Sequence, residues 1–205
     1  MKKILVILAV LTTPALLFAQ VSGGIKGGLN VSNQKWKVEV MGQSASQKYD
    51  GVNFHVGGYL NYALSEAMSL QPELLYNSLK FDIEGEDVTF NYISLPVFFG
   101  YGFEANKLIL QAGPQIGVLV STDPGEFKDD DFVKGIDFSF AMGAMVNLGK
   151  FNLSAHYALG ISNIVDDTLN DALEDALGVP VGLSIKNNNF QISIGYRLFG
   201  EYLKH

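Results

Sequence analysis

Long segments in which apolar residues alternate with polar or small ones are the feature that most constrains this chain. From Val52 to Tyr62, the even positions carry valine, phenylalanine, leucine and tyrosine around one glycine, while the odd positions are mostly asparagine, histidine and glycine. Successive side chains of a strand point to opposite faces, so the segment predicts a β-strand with one apolar face. A barrel that spans a membrane needs this arrangement, with the apolar face outward and a polar interior.

The first 20 residues have the composition of a secretory signal peptide. Lys2 and Lys3 supply the positive start, Ile4–Val10 the apolar stretch and Ala15–Ala19 the small and apolar residues before a cleavage site. We expect residues 1–20 to be removed and residues 21–205 to form one domain. The chain has no cysteine, so the exported domain does not depend on disulfides.

The alternation predicts eight strands, each with the roughly 9–11 residues that a tilted strand needs to cross a bilayer. In the fourth segment both alternating sets are largely apolar, so its faces are ambiguous. The fold expected is an all-β, eight-stranded antiparallel up-and-down transmembrane barrel. The expected strands are Val21–Val31, Gly51–Tyr62, Met68–Leu79, Val88–Gly102, Lys107–Val120, Lys134–Leu148, Phe151–Ile161 and Lys186–Phe199.

The connections between these strands alternate in length. The short ones lie near 63–67, 103–106 and 149–150, and the long ones near 32–50, 80–87, 121–133 and 162–185. Outer-membrane barrels combine short periplasmic turns with longer external loops and an even number of strands. We therefore expect an outer-membrane protein with both termini in the periplasm and four external loops.

The charge follows the same partition. Loss of two lysines with the signal leaves 12 basic against 21 acidic residues, a net charge of −9, and the long loops with their flanking lysines carry all of that excess. Such an acidic balance argues against nucleic acid as a partner.

Several short stretches, in order along the chain, are similar to one family. The chain resembles the PorT-like outer-membrane β-barrel proteins of Bacteroidetes, which are Gram-negative. The resemblance implies a barrel of the cell envelope, in a family whose members mostly lack an assigned biochemical role. One departure is the tail after Phe199, because such barrels often end at an aromatic residue. The stretches are Gly24-Ile25-Lys26-Gly27-Gly28-Leu29-Asn30, Ser69-Leu70-Gln71-Pro72-Glu73-Leu74-Leu75-Tyr76, Tyr92-Ile93-Ser94-Leu95-Pro96, Gly113-Pro114-Gln115-Ile116-Gly117 and Gly195-Tyr196-Arg197-Leu198-Phe199.

Three charged residues fall on the polar faces of the first, third and eighth strands, namely Lys26, Glu73 and Arg197. The first and last strands adjoin where the barrel closes, so Lys26 and Arg197 can share a carboxylate partner. The interior of an eight-stranded barrel is just wide enough for side chains to fill, and a buried charge needs a partner. We expect a structural network in the lumen in preference to an ion or substrate path.

A serine and a histidine on the seventh strand raise the possibility of catalysis, since some outer-membrane lipid hydrolases use a Ser–His pair. Ser154 and His156 share a face, but side chains two residues apart on a strand lie roughly 7 Å apart. A nucleophile needs its base within hydrogen-bond reach and a third group to orient that base. The pair also faces the lumen, so we expect no enzyme activity.

The third long loop is acidic, with Asp123, Glu126, Asp129, Asp130 and Asp131. Carboxylates can gather calcium, but the spacing does not match a helix-loop-helix calcium site, so a solvated acidic loop is favoured. In the fourth loop, leucines recur every four residues within 166–177, ahead of Gly178 and Pro180, which predicts a short helix over the barrel mouth.

These observations together predict a monomeric, non-enzymatic structural or surface-binding protein that acts through acidic external loops. We expect no cofactor and no bound metal, and as partners the outer-membrane lipids and one unidentified molecule outside the cell or in the envelope. The alternatives are a small-solute channel, a lipid-modifying enzyme of the outer membrane, and a soluble ligand-binding barrel. The last explains neither the strand lengths nor the alternating loop lengths.

Overall fold

The structure, a computed structural model, is a closed barrel of eight antiparallel strands, which confirms the expected fold. It describes residues 21–83, 86–104, 106–123, 135–163, 165 and 167–201, so the expected signal peptide lies outside the described residues. Each strand pairs with its neighbour in sequence, and β1 pairs with β8 to close the wall. The strands are β1 Val21–Val40, β2 Gln43–Ala63, β3 Met68–Ile83, β4 Glu86–Phe103, β5 Leu108–Asp123, β6 Ile136–Leu148, β7 Phe151–Gly160 and β8 Val181–Phe199.

The faces of the strands follow the period of two read from the sequence. Along β7, exposed and buried residues alternate from Phe151 to Leu159, with the apolar side chains exposed. Among the described residues, 21 polar or charged residues are buried against 12 apolar ones. This is the reverse of a soluble core and matches a wall that faces lipid, so the soluble alternative is wrong.

The ambiguous fourth strand has one clear orientation in the barrel. Tyr92, Ser94 and Phe98 point into the lumen and are buried, whereas Leu95 and Phe99 are exposed on the outer face. Because both sets are largely apolar, this strand takes its orientation from the register with β3 and β5.

One end of the barrel carries the short connections and both ends of the described chain, and we call it the turn end. The connections lie between β2 and β3, β4 and β5, and β6 and β7, as expected from the sequence. Two of them contain residues in the left-handed region, with φ of 47° at Glu104, 61° at Asn106 and 67° at Gly149.

At the opposite end, the loop end, two of the expected loops are wrong. Residues 32–50 form the continuous β1–β2 hairpin, which turns at Met41 and Gly42 with φ of 51° and 80°. Positive φ at both turn residues suits the twist of a two-residue hairpin. Residues 80–83 and 86–87 likewise continue the β3–β4 pairing, as far as Ile83↔Glu86. Most of the third loop, 124–134, lies outside the described residues.

The fourth loop contains the expected short helix, α1, at Asp167–Leu177. Gly178 ends it with φ of 64°, and its amide donates to the carbonyl of Glu174 at 2.8 Å, which is a helix C-terminal cap. The helix lies against β8. Among the described residues, no helix is both long and apolar enough to cross a membrane.

The longest extension beyond the closed wall at the loop end is formed by β1, β2 and β8, and we call it the projecting sheet. β1 pairs with β2 as far as Val40↔Gln43 and with β8 as far as Val40↔Val181. The β2–β3 pairing ends at Phe54↔Ser78 and the β7–β8 pairing at Ala158↔Asn189. At about 3.3 Å per residue, β1 continues for about 30 Å past Val31.

The wall opens between β2 and β3 at Gly51. A Cβ on Gly51 would overlap the carbonyl oxygen of Lys80, so glycine permits the two backbones to approach there. The amide of Lys80 donates to Oδ1 of Asn53 just below. Above this point no described strand pairs with the outer edge of β2.

Candidate functional site

The turn-end half of the lumen is organised around a buried ion pair. Nζ of Lys26 lies 2.9 Å from both Oε1 and Oε2 of Glu73, and both residues are buried. Nε2 of Gln71 donates to Oε1 of Glu73 at 2.7 Å, and Asn61 donates to Gln71 at 3.2 Å. Gly57 on β2 faces Lys26 in register and leaves room for the lysine to cross to β3. The charges are paired and hydrogen-bonded, as buried charges require.

Arg197 contacts the β6–β7 turn at the turn end of the barrel. Its guanidinium donates to the carbonyl oxygen of Gly149 in the β6–β7 turn at 3.1 Å and is partly exposed. Arg197 lies in register with Gly24, and the β1–β8 register shifts only beyond that pair, between Gly23 and Gly24. The shared carboxylate partner of Lys26 and Arg197 stays a prediction.

A second group of polar side chains fills the middle of the lumen. His55 lies 2.7 Å through Nδ1 from Oδ1 of Asn30 and 2.8 Å through Nε2 from the hydroxyl of Ser193. The Asn30 amide donates to Asn77 at 3.1 Å. Gln191 donates to the same Asn77 oxygen at 3.3 Å, and Asn77 donates to Ser94 at 3.0 Å. The group links β1, β2, β3, β4 and β8 across the lumen, which favours a structural role.

His156 and Ser154 both point into the lumen, and the structure does not join them. Nε2 of His156 lies 2.9 Å from Oε1 of Gln111, and its ring stacks on Phe98 with centroids 4.4 Å apart. The Ser154 hydroxyl is buried without a hydrogen-bond partner among the described residues. A nucleophile activated by His156 would need that hydroxyl as its partner.

The acidic loop is represented only by its first member. Asp123 ends β5 and is exposed, and it lies in register with Thr89. Glu126, Asp129, Asp130 and Asp131 lie outside the described residues. Within the described part of the chain, no three histidine, cysteine, aspartate or glutamate side chains gather as metal ligands.

The loop-end half of the lumen holds a different carboxylate, Asp137 on β6. The hydroxyl of Ser162 donates to its Oδ1 at 2.8 Å, and Nδ2 of Asn187 donates to its Oδ2 at 3.0 Å. A cavity of about 30 Å³ adjoins this group, and Tyr92 and Gln115 also line it.

A larger cleft of about 420 Å³ lies at the loop end between the β1–β2 hairpin, α1 and β8. Lys37 and Glu39 line it and form an exposed ion pair of 2.8 Å. The hydrogen bond and positive charge of Lys37 hold the pKa of Glu39 below its usual value. Because both side chains are about half exposed, the pair adds little to stability.

Two asparagines cover the backbone edge of β8 where β7 no longer pairs with it. Asn170 on α1 accepts from the amide of Leu183 at 2.7 Å and donates to its carbonyl at 3.3 Å. Asn163 accepts from the amide of Ile185 at 2.9 Å and also donates to Leu183 at 3.2 Å. These side-chain amides take the place of a neighbouring strand.

The sequence reasoning missed the Asp137 group, the central His55 group and the two edge asparagines. The first two lie on the polar sets of their strands, so the alternation could have placed them in the lumen without naming partners. Asn163 and Asn170 lie in an expected loop and show no pattern, because their role depends on where β7 ends.

A closed eight-stranded wall with apolar side chains outside and hydrogen-bonded polar side chains inside defines an outer-membrane β-barrel protein. The family model described as outer membrane protein beta-barrel domain matches residues 18–166. The chain belongs to this family and is an outer-membrane protein. A search of curated proteins finds no match.

Solved barrels share the general architecture at low sequence identity. Ail of Yersinia pestis, in complex with the heparin analogue sucrose octasulfate, is 13% identical, with 85% of this chain and 99% of that chain covered and a TM-score of 0.40. Neisserial surface protein A is 10% identical, with coverages of 85% and 97% and a TM-score of 0.46. De novo designed transmembrane β-barrels are 12% identical, with coverages of 83% and 95% and a TM-score of 0.35.

Proposed function

We propose that this protein is a non-enzymatic surface-binding protein whose loop end faces outward from the cell. The observation that carries the proposal is the projecting sheet, which rises from the wall with one covered edge and one open edge. The β8 edge is covered by Asn163 and Asn170. The β2 edge, from Gln43 to Gly51, has no partner strand among the described residues.

An open edge offers a row of backbone N–H and C=O groups to which an extended peptide can add as a further strand. The part of this row at Gln43–Gln47 is exposed and its side chains are uncharged, whereas Lys48 and Asp50 follow nearer the wall. Such side chains leave the edge accessible, whereas charged residues, proline or a bulge would protect it. The edge therefore suits an extended segment of a partner protein.

The charge of the loop end favours a partner with a basic surface. The chain without its expected signal carries a net charge of −9, and four of the acidic residues counted in it lie in the loop after Asp123, namely Glu126, Asp129, Asp130 and Asp131. Complementary charge steers encounter and raises the association rate. In this proposal the loops attract the partner and the β2 edge binds it.

The lumen supports a structural role in preference to a channel or an enzyme. The Lys26–Glu73 pair and the stacked rings of Phe98 and His156 occupy the interior of a barrel that is just wide enough for its side chains. The buried hydroxyl of Ser154 makes no hydrogen bond to His156, and both groups point away from lipid.

We further propose that residues 1–20 are an export signal and that the protein is a PorT-like barrel of Bacteroidetes. The positive start and apolar stretch support the first proposal, and the five ordered stretches quoted above support the second. The protein is proposed to act as a monomer, with outer-membrane lipids around its apolar wall and without a cofactor.

The test removes the projecting hairpin and keeps the barrel. Residues 33–50 are replaced by Asn-Gly, which connects the paired residues Ser32 and Gly51 through a two-residue hairpin turn. The matched control is Ser22→Ala in the lumen, because the Ser22 hydroxyl is buried without a hydrogen-bond partner among the described residues. Heat-modifiable gel mobility of the membrane fraction verifies that each variant is folded.

Cells that display each variant are applied to arrays of purified extracellular and envelope proteins, and binding is measured again with the purified barrel by surface plasmon resonance. We expect a partner that binds the parent and the Ser22→Ala variant alike and loses at least about tenfold in affinity for the hairpin deletion, or 1.4 kcal/mol. Equal affinity for the deletion variant contradicts the proposal. A large, stable conductance in planar bilayers would support the channel, and a lipase or deacylase activity abolished by His156→Ala would support the enzyme.

A further inference from the structure

We propose that the cavity beside Asp137 binds one small hard cation, monovalent in preference to divalent. Asp137 supplies the negative charge, and Asn187, Gln115 and Tyr92 supply the remaining oxygen ligands. The site is separate from the edge of β2 and does not depend on the proposed surface binding.

The orientation of the Asn187 amide is fixed by its neighbour. Its Nδ2 donates to Oδ2 of Asp137 at 3.0 Å, because a carboxylate can only accept. Its Oδ1 therefore points the other way, and this atom is buried without a hydrogen-bond partner among the described residues. Asn187 is 9% exposed, so the oxygen has lost water as well.

Two further oxygens that line the same cavity are also buried without a described hydrogen-bond partner. Oε1 of Gln115 and the hydroxyl of Tyr92 are buried, and neither has a hydrogen-bond partner in the described part of the chain. Tyr92 is 3% exposed. The two amide oxygens and the carboxylate that line this cavity are ligands that hard cations prefer, and the Tyr92 hydroxyl adds a neutral oxygen.

The charge selects the class of cation. The described ion pairs are Lys26–Glu73 and Lys37–Glu39, so no described basic side chain pairs with Asp137. One monovalent cation would neutralise the site, whereas a divalent cation would leave a net positive charge in the lumen, which is costly. At about 10–15 Å³ for each water-sized occupant, the cavity of about 30 Å³ holds one ion and one water.

The test is a salt titration of the mature chain folded in detergent micelles, with Na⁺ as the probe. Sodium chloride replaces choline chloride at constant ionic strength, and NMR follows the side-chain amide signals of Asn187 and Gln115. We expect saturable shifts with Na⁺, because choline is too large for the cavity. Asp137→Asn should weaken the response at least about tenfold, or 1.4 kcal/mol. Asp123→Asn, an exposed carboxylate at the end of β5, should leave it unchanged.

A second variant keeps the proposal testable if Asp137→Asn fails to fold. Gln115→Met removes one oxygen and keeps the charge, and it should weaken the sodium response several-fold. An unchanged response in that variant overturns the site.

Other outcomes also overturn the proposal. Absence of a saturable sodium shift means that water alone fills the cavity. Saturation by Ca²⁺ at lower concentration than Na⁺ contradicts the monovalent assignment. A carboxyl carbon shift that shows Asp137 protonated at about pH 8, far above the usual aspartate pKa, removes the charge on which the site depends.

Discussion

The two halves of the lumen each hold a carboxylate, and they satisfy it differently. Near the turn end, Glu73 faces the ammonium of Lys26, and Gln71 adds a third hydrogen bond. Near the loop end, the described groups that donate to Asp137 are neutral and belong to Ser162 and Asn187. Beside them lie oxygens that have no partner in the described part of the chain. The charge of Glu73 is therefore neutralised by a neighbouring side chain. The charge of Asp137 is not neutralised by any described side chain, and oxygens without hydrogen-bond partners lie beside it.

This difference predicts where stability resides. Removing one partner of a buried ion pair leaves an uncompensated charge and costs about 3–5 kcal/mol. Removing a group whose partners are neutral leaves at most an unsatisfied donor or acceptor, at about 1–3 kcal/mol. Substitutions in the turn-end half should therefore act on stability, and those in the loop-end half on what the cavity binds.

The largest effect is expected from Glu73→Gln. The substitution leaves the Lys26 ammonium buried at 4% exposure without its counter-charge, so the free energy of unfolding should fall by about 3–5 kcal/mol. Urea unfolding in lipid vesicles, followed by far-ultraviolet circular dichroism, measures the change. The double variant Lys26→Met/Glu73→Gln is the control and should recover most of the loss. If Glu73→Gln lowers the free energy of unfolding by less than about 1 kcal/mol, the buried pair contributes no more than a surface ion pair does. The two halves of the lumen would then not differ in stability.

An intermediate effect is expected from Asn30→Ala in the central group. Asn30 is 0% exposed and bridges His55 and Asn77, so its loss leaves both neighbours short of a hydrogen bond. The free energy of unfolding should fall by about 1–3 kcal/mol in the same assay. Ser22→Ala, which removes a hydroxyl without a described partner, is the matched control. Equal effects of the two variants would show that the central hydrogen bonds add no stability.

Asp137→Asn should cost less than either. In choline chloride the amide can still accept from Ser162, so we expect a loss of about 1 kcal/mol or less. Unfolding experiments in choline chloride and in sodium chloride separate this cost from any cation effect. A loss as large as that of Glu73→Gln would mean that Asp137 has a charged partner, and the two halves would then be alike.

Tyr92→Phe should be nearly neutral in choline chloride. The hydroxyl is buried without a partner in the described part of the chain, so removing it relieves a desolvated group and leaves the ring in place. We expect a change within about 0.5 kcal/mol, whereas loss of a made hydrogen bond would cost about 1 kcal/mol or more. A larger loss would reveal a hydrogen bond to this hydroxyl.

A third carboxylate, Glu39 on the projecting sheet, gives the smallest effect and tests the role of burial. Its lowered pKa means that the Lys37–Glu39 pair contributes above the pKa of glutamate in the unfolded chain. The contribution disappears as the pH falls through the lower folded value. Because the pair is exposed, Glu39→Gln should leave the unfolding midpoint unchanged within error at neutral pH. A clear shift of the midpoint would mean that this exposed pair contributes as much to stability as a buried pair does.

Much of the barrel could be read from the sequence because the period of two survives wherever one face of a strand meets lipid. The same period placed Lys26 and Glu73 on the lumen side. It could not pair them, since they lie on β1 and β3 and meet only through the register with β2 between them.

The sequence-based prediction of strands was wrong where neither face of a strand meets lipid, because no alternation of apolar residues is needed there. Residues 32–50 were expected to form a loop, because beyond the membrane both faces of a strand meet water and no apolar alternation is needed. Asp137 lies in a readable strand, but its significance depends on Asn187, whose position in β8 is set by barrel closure.

Gly51 has a mechanical consequence. Below it, β2 is held on both sides, by β1 and through the contacts of Asn53 and Gly51 with Lys80. Above it, β1 is the one described strand that pairs with β2. A pull along the barrel axis at the Met41–Gly42 tip loads many backbone hydrogen bonds together in shear. A sideways pull on β2 breaks them one after another from Gln43, and the tear stops at Gly51. A partner bound to this edge therefore resists force along the barrel axis far better than force across it.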